Sequence, residues 1–577
     1  MYCRAGAAGS TLWSLREEDH LTAAWSSAWE SLLNQNLIQT AWEEARGVKP
    51  LVCIAASNPF RVAASSTAGA TMLGKEKRHG GRPPKYPVVL VPGVITSGLE
   101  VWDASPSCGA LEHNTPRIWL NPEMMLFQTK CWLSHMSLDP DTGLDPPGVR
   151  VRALQGYEAA DYILPGERET WVWGRLIDAL KGNGYDRNSL FMAAYDWRLS
   201  PRNLERRDKW MTWLRLTIEF AVIANQQRAV LVTHSMGSPV LQYFLEWIEN
   251  PAGGNRAGWL DEHIHAITHV APAFLGAPKA LRVLVSGEAT EMSIDGAYAK
   301  YTGGVVNGLV RKLFPPKMIM EAAATAGSLQ FLIPKGGSAV WGGEFAVIHE
   351  ADGRNVSFSF DELESMLNGS IPGHDTTLRR LHQEMNIGSS RSPPRDAEDV
   401  SKPWSNPVVT PLRTGPSTTI YCLYGADGKA EMGYHYQRTT DPDELPLTIQ
   451  EEIGDIGREM GTGDGTVPLV SLSLPCVLWK DNHVDLNPRR SPVRIEEYEE
   501  DQSCSAPIQL ILEAKRSVCS SEHVDFIGND ALIKRVLQIA TGALDDAEWS
   551  DRFITSMGDE DKVRGYAEAL EKARKSN

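Results

Sequence analysis

Three polar residues, far apart in the chain, are of the types that attack an ester at neutral pH: Ser235, Asp464 and His523. A serine hydroxyl needs a base to take its proton, and the base needs an acid to hold its tautomer. Ser235 follows a short apolar run, Ala229-Val230-Leu231-Val232, and sits in the turn Thr233-His234-Ser235-Met236-Gly237. Apolar residues then recur at Val240, Leu241, Phe244, Leu245 and Ile248, which is helical spacing. A strand that turns sharply into a helix at a serine is a nucleophile elbow. The turn lifts the hydroxyl off the sheet and aims the helix N-terminus at it. Thr233 replaces the usual first glycine and weakens the motif. His234 competes as the base, but its side chain leaves the elbow in a different direction from Ser235, so it is expected to shape the turn instead.

Asp464 lies in Gly463-Asp464-Gly465-Thr466-Val467-Pro468-Leu469, a tight loop before an apolar run. His523 lies in Ser521-Glu522-His523-Val524-Asp525, ahead of a helix expected over 531–540. Serine, then aspartate, then histidine is the chain order of the α/β-hydrolase triad. Two backbone N–H groups are expected to receive an oxyanion. One belongs to Met236, next to the serine, and the other to Val94, after the buried strand expected over 87–94.

The elements that must carry these residues alternate. Strand patterning over 87–94, 190–195, 229–232 and 264–272 is separated by helical patterning over 171–180 and 204–224. That predicts an α/β fold of the α/β-hydrolase type, a mostly parallel doubly wound sheet. Ligands bind at the carboxyl edge of such sheets, where the turn Leu275-Gly276-Ala277-Pro278-Lys279 is expected. Over about 280–415 the alternation is lost, and this stretch is expected to form an inserted cap ending in a loose Pro/Ser-rich connector. Sheet patterning resumes at 419–425, and a charged, solvated helix is expected over 561–575. The expected organisation is a helical or poorly ordered leader over 1–85, a catalytic domain over 86–545 with a lid at about 102–147, and a tail over 546–577. Within the lid, the aromatic and Met-rich loop between Cys108 and Cys131 contains Trp119, Met124, Met125 and Phe127, with Trp132 just beyond. Such a loop could cover the site and touch lipid; a packed surface loop with two free thiols is the alternative. Asp196 and Arg198 read either as a substrate clamp or as a structural ion pair at a strand end.

The 577 residues are 42% hydrophobic, enough for a buried core, and carry a formal net charge of −16. That balance argues against nucleic acid, whose phosphates call for an excess of Lys and Arg. The 18 tryptophans fit either core filling or an apolar–water boundary. Eight cysteines include no C-x-x-C pair, so no zinc or thioredoxin-like motif is indicated, and composition leaves free thiols and disulfides both open. No stretch reads as a transmembrane helix; the nearest, 51–73, is interrupted by Asn58, Pro59 and Arg61.

From about 87 to 542 the chain resembles the phospholipid:diacylglycerol acyltransferases of the lecithin:cholesterol acyltransferase-like group. The motifs are VVLVPGV at 88–94, KCWLSHMSLDPDTGLDPP at 130–147, AAYDWRLSP at 193–201, HSMGS at 234–238, LGAPKA at 275–280, IYCLYG at 420–425, GDGTVPLVSL at 463–472 and EHVDFIGN at 522–529. The resemblance implies the triad Ser235, Asp464 and His523, a lid closed by Cys108–Cys131 with Trp119 and Trp132 near substrate, and a second bridge like Cys422–Cys476. It implies acyl transfer from a phospholipid to diacylglycerol at a membrane or lipid-droplet surface, with no cofactor, metal or nucleic acid. Phospholipase A or galactolipid lipase activity on the same scaffold, or lipid binding without catalysis, are the competing expectations. The family's usual basic segment and membrane anchor ahead of the core are not evident here. The expected location is the endoplasmic reticulum membrane or lumen, with the chloroplast as the alternative. The sequons Asn355-Val356-Ser357 and Asn368-Gly369-Ser370 fit a lumenal domain.

Overall fold

The computed structural model describes residues 83–111, 117–119, 121–163, 170–287, 315–370, 404, 406–439, 441, 444–501, 517–544 and 549–576. The expected leader, apart from its last three residues, and much of the expected cap lie outside them. The described residues fall into two compact units. One contains Asn121–Thr129, whose helix Pro122–Phe127 is capped by the Asn121 side chain accepting from the Met124 N–H. The other holds all the remaining described residues.

In chain order the strands of the larger unit are β1 (Val88–Val91), β2 (Leu99–Asp103), β3 (Arg150–Ala153), β4 (Leu190–Met192), β5 (Ala229–His234), β6 (Ile264–Val270), β7 (Glu344–His349), β8 (Asn355–Ser359), β9 (Thr419–Gly425), β10 (Gly428–Arg438), β11 (Leu447–Ile449), β12 (Arg458–Gly463) and β13 (Val493–Tyr498). Six of them form one sheet in the order β13-β9-β6-β5-β1-β4. Every neighbouring pair in it is parallel. This is an α/β-hydrolase-like core, and β1 and β5 are buried at every position because helices cover both faces. The register pairs Val91 with Thr233, His234 with Val270, and Val270 with Leu423. The carboxyl ends of β1, β5, β6 and β9 are therefore brought to one edge.

Element boundaries differ from expectation where polar side chains intervene. The helix expected over 204–224 is two pieces, a turn at Leu204–Asp208 and a helix at Trp210–Asn225, separated by Lys209 at φ +56°. Glu205 makes the break by accepting from both the N–H and the hydroxyl of Thr212 and so capping the second piece. The strand expected over 190–195 is shorter, β4 ending at Met192 with a last bond from the Ala193 N–H to the Leu90 carbonyl at 2.8 Å. A second sheet, β11-β10-β7-β8 with β12 also on β10, joins 344–359 of the expected cap to residues 428–463 beyond it. The apolar run after Asp464 is the helix Leu469–Lys480, tied to β9 by the Cys422–Cys476 disulfide. The tail helix Glu560–Ser576 buries Val563, Ala567 and Leu570, one face of its surface, where a solvated helix was expected. Among the described residues no helix is long and apolar enough to cross a membrane.

The expected lid segment begins in β2 and ends just before β3, which pairs antiparallel with β2. Its inner end is locked to the sheet by buried charge. Arg198 donates to both Asp196 oxygens, to Asp145 Oδ1 at 3.1 Å and to the His135 carbonyl at 2.7 Å. Arg207 adds a 2.7 Å bond to Asp196. Burial alone would raise the Asp196 carboxyl, but the two guanidiniums hold it well below the usual range. Asp196 and Arg198 are thus a structural ion pair. Replacing one member strands the others without compensation. Asp196→Asn is expected to cost about 3–5 kcal/mol in urea unfolding; a loss below about 1 kcal/mol would show that the cluster is not a fixed anchor.

Candidate active site

The strand–helix turn at β5 is forced by contacts on all sides. Ser235 adopts φ +53°, a left-handed conformation that costs about 1–2 kcal/mol for a non-glycine residue. It is held there by its N–H to the Val270 carbonyl at 3.1 Å and by the Ala273 N–H to its own carbonyl at 3.2 Å. The helix Gly237–Glu249 starts so close to β1 that a Cβ on Gly237 would lie 2.5 Å from the Pro92 oxygen and 2.6 Å from that of Val91. Only glycine fits there.

Thr233 has its own place in this turn. Its hydroxyl lies 2.7 Å from the Ser238 hydroxyl in the new helix and 2.9 Å from His269 Nδ1 on β6. A threonine therefore ties strand, helix and neighbouring strand together at the position where the sequence motif loses its glycine. His234 donates its Nε2–H to the His523 carbonyl at 3.0 Å, and its ring lies 4.8 Å from that of His523. It braces the opposite loop, a contact across 289 residues that no local pattern announces.

The structure brings Ser235, His523 and Asp464 together. The Ser235 hydroxyl lies 2.8 Å from His523 Nε2, and His523 Nδ1 lies 2.6 Å from Asp464 Oδ2. A carboxylate only accepts, so Nδ1 carries the proton toward it and Nε2 is the acceptor for the serine. The other oxygen of Asp464, Oδ1, accepts from the N–H groups of Thr466 at 3.1 Å and Val467 at 2.8 Å. The His523 N–H donates to the Asp464 carbonyl at 2.8 Å, joining the two loops by backbone as well. All three residues are buried, Asp464 completely.

Val94 lies just past the end of β1, and Met236 N-caps the helix after Ser235. Neither N–H donates to another described backbone group. Cys108 and Cys131 form a disulfide, as do Cys422 and Cys476, and Cys519 is disulfide-bonded too. Trp119 and Trp132 are both buried, their rings stacked at 6.2 Å. Trp119 donates its indole N–H to the Ile95 carbonyl at 2.7 Å, and Trp132 donates to that of Ile118 at 2.9 Å. Trp119 is thereby tied to the turn just after Val94.

The family model for lecithin:cholesterol acyltransferase matches residues 113–530. The chain belongs to the lecithin:cholesterol acyltransferase family. Within it, the phospholipid:diacylglycerol acyltransferase of Saccharomyces cerevisiae is 35% identical, over 79% of this chain and 70% of its own. The protein of the same name from Schizosaccharomyces pombe is 30% identical, over 85% of this chain and 78% of its own. Phospholipid:diacylglycerol acyltransferase 1 of Arabidopsis thaliana is 31% identical, over 81% and 82%.

Two buried histidines at the elbow, His234 and His269, are expected to make this fold acid-sensitive. Burial pushes His269 down to about 3, and burial followed by the nearby His523 pushes His234 well below its usual range. Both stay neutral when folded, whereas the unfolded chain protonates them near the usual value of about 6.5. The unfolded state thus binds more protons below that pH, and stability falls as pH falls, by at most about 1.4 kcal/mol per pH unit for each histidine. Urea unfolding at pH 7, 6 and 5 is expected to show this slope, and His269→Gln a shallower one; equal slopes would contradict the assignment.

Proposed function

We propose that this member of the family is an O-acyltransferase that moves a fatty acyl group from a phospholipid to diacylglycerol. The observation that carries the reading is the hydrogen-bonded line Ser235–His523–Asp464 in a chain whose relatives bear that name. In the first half-reaction His523 Nε2 takes the Ser235 proton while Oγ attacks the phospholipid ester carbonyl. The tetrahedral oxyanion is received by the Val94 and Met236 N–H groups, each contributing about 2.7–4 kcal/mol by analogy with oxyanion donors. Collapse breaks the ester bond, His523 returns its proton to the leaving lysophospholipid oxygen, and the acyl group remains on Ser235. In the second half-reaction the diacylglycerol hydroxyl attacks that acyl group and gives its proton to His523. Collapse releases triacylglycerol and the proton returns to Ser235. Throughout, Asp464 holds the tautomer and stabilises the imidazolium. Trp119, Trp132 and the disulfide-closed loop support a lid, at about 102–147, that keeps water from the acyl-enzyme. The disulfides and the exposed Asn355 of the first sequon favour an oxidising compartment such as the lumen of the endoplasmic reticulum.

Ser235→Ala is expected to lower turnover by about a million-fold. Acyl-labelled phospholipid supplied with diacylglycerol is expected to place label in triacylglycerol; label in free fatty acid alone would make the protein a phospholipase A. Undiminished turnover by Ser235→Ala would remove the serine from the mechanism.

Both substrates are lipids, so the reaction belongs at a membrane or lipid-droplet surface. On the helix Trp210–Asn225 every exposed side chain is apolar: Trp213, Leu216, Phe220, Ile223 and Ala224. The four large ones are 37–68% exposed, and the helix's charged residues, Arg215 and Glu219, pair with each other on its flank. An uncharged ridge of this kind fits the acyl boundary of a lipid surface. The double variant Leu216→Glu/Phe220→Glu is expected to lose sedimentation with phosphatidylcholine vesicles while hydrolysing a soluble short-chain ester normally. Unchanged sedimentation would reject the ridge as the lipid contact, and loss of a dimer instead would assign it to a second copy.

A further inference from the structure

Beyond Val91 the β1 ladder stops, and the chain from Pro92 to Ser97 must be held by other means. Four of its six carbonyls accept from side chains. Tyr195 OH donates to Pro92 at 2.8 Å, Thr96 Oγ1 to Gly93 at 2.9 Å, Trp119 Nε1 to Ile95 at 2.7 Å and Trp197 Nε1 to Ser97 at 3.1 Å. In a planar trans peptide the carbonyl of one residue and the N–H of the next share a rigid plane and point in opposite directions. The Thr96 hydroxyl therefore fixes the plane that carries the Val94 N–H, and the Tyr195 hydroxyl fixes the plane before it. We propose that Thr96 and Tyr195 are positioning residues for acyl transfer, holding the Val94 N–H in place for the oxyanion through the Gly93 and Pro92 carbonyls.

This inference rests on Ser235 being the nucleophile. The loop lies directly on it, since a Cβ on Gly93 would sit 2.9 Å from Ser235 Cβ. A shift of the loop is therefore felt at the reacting centre. The loop also needs holding, because Ile95, a β-branched residue, is kept at φ +57°. The mount for Tyr195 is rigid. It is fully buried, burial raises its phenol so that it remains a donor, and the next residue is Asp196 in the buried ion cluster. A hydrogen-bond donor preset for an oxyanion stabilises the transition state more than bound substrate, so loosening it lowers kcat and leaves KM alone.

The test is kinetic, with a soluble short-chain ester and the full chain. Thr96→Val and Tyr195→Phe remove one hydroxyl each and little else. Each is expected to lower kcat about tenfold with KM within about twofold. An alkyl boronic acid, whose adduct with serine presents a tetrahedral oxygen, is expected to bind about tenfold more weakly to both variants. Thr96→Ser keeps the hydroxyl and is expected to restore kcat to within about twofold. Wild-type kcat in both variants would overturn the proposal, as would equal impairment of Thr96→Ser, or a loss of kcat accompanied by a matching rise in KM. Ser235→Ala in the same assay separates the two readings. Retained turnover there removes the nucleophile itself, whereas a dead Ser235→Ala beside fully active Thr96→Val and Tyr195→Phe removes only the positioning role.

Discussion

The rest of the site depends on one tight approach, that of the helix after Ser235 to the end of β1. With Gly237 against the Val91 and Pro92 carbonyls, the serine has no room except at the apex of a left-handed turn. Its Oγ then stands at the carboxyl edge of the sheet, and the helix N-terminus lies beneath the adjacent N–H. The same closeness sets the loop after β1 against the serine. The placements of the proposed nucleophile and of the expected oxyanion donors thus follow from a single packing constraint, and the backbone strain at Ser235 is balanced by hydrogen bonds with β6 and the loop that follows it.

Charge is arranged around that constraint with few ionised groups near the serine. His234 and His269 are buried and neutral, and both are used as struts, one to the His523 carbonyl and one to Thr233. The Asp464 carboxylate is met by two backbone N–H groups and by His523. The strong ionic cluster of Asp145, Asp196, Arg198 and Arg207 is placed instead where the expected lid segment meets the chain just after β4, and there it serves as an anchor. Polar groups near the reacting atoms are therefore mostly neutral dipoles in fixed orientations, which need no reorganisation as charge develops.

What the sequence made legible follows the same division. The elbow, the alternating strands and helices and the order serine, aspartate, histidine were readable, because each is written in local periodicity or in chain order. The second sheet was not, since β10 mixes Gly428, His435 and Gln437 with its buried tyrosines and pairs with β7 residues 88 positions away. The use of Thr233 in place of glycine was not readable either, because its partner His269 lies on another strand. Bonds from Tyr195, Trp197 and Trp119 to one loop leave no trace in spacing, as an indole or phenol that pins a distant carbonyl looks like any core aromatic. Even the tail helix, charged over most of its length, hides a buried face at 563, 567 and 570.

The two half-reactions proposed for this site pass through the same tetrahedral geometry at the same carbon. The oxyanion donors and the histidine therefore serve water and diacylglycerol alike, and neither can choose between them. Choice must come from access and positioning. An acceptor hydroxyl held in line with the acyl-enzyme reaches an effective concentration of about 10⁵ M or more, whereas water admitted freely competes in every cycle. The segment between β2 and β3 is suited to that discrimination. Cys108–Cys131 closes it at one end, the stacked Trp119 and Trp132 lie buried, and the ion cluster fixes the other end to the sheet. Under the proposed mechanism, the expected lid between β2 and β3 is where a transferase and a lipase of one family would differ, the serine, histidine and aspartate being shared.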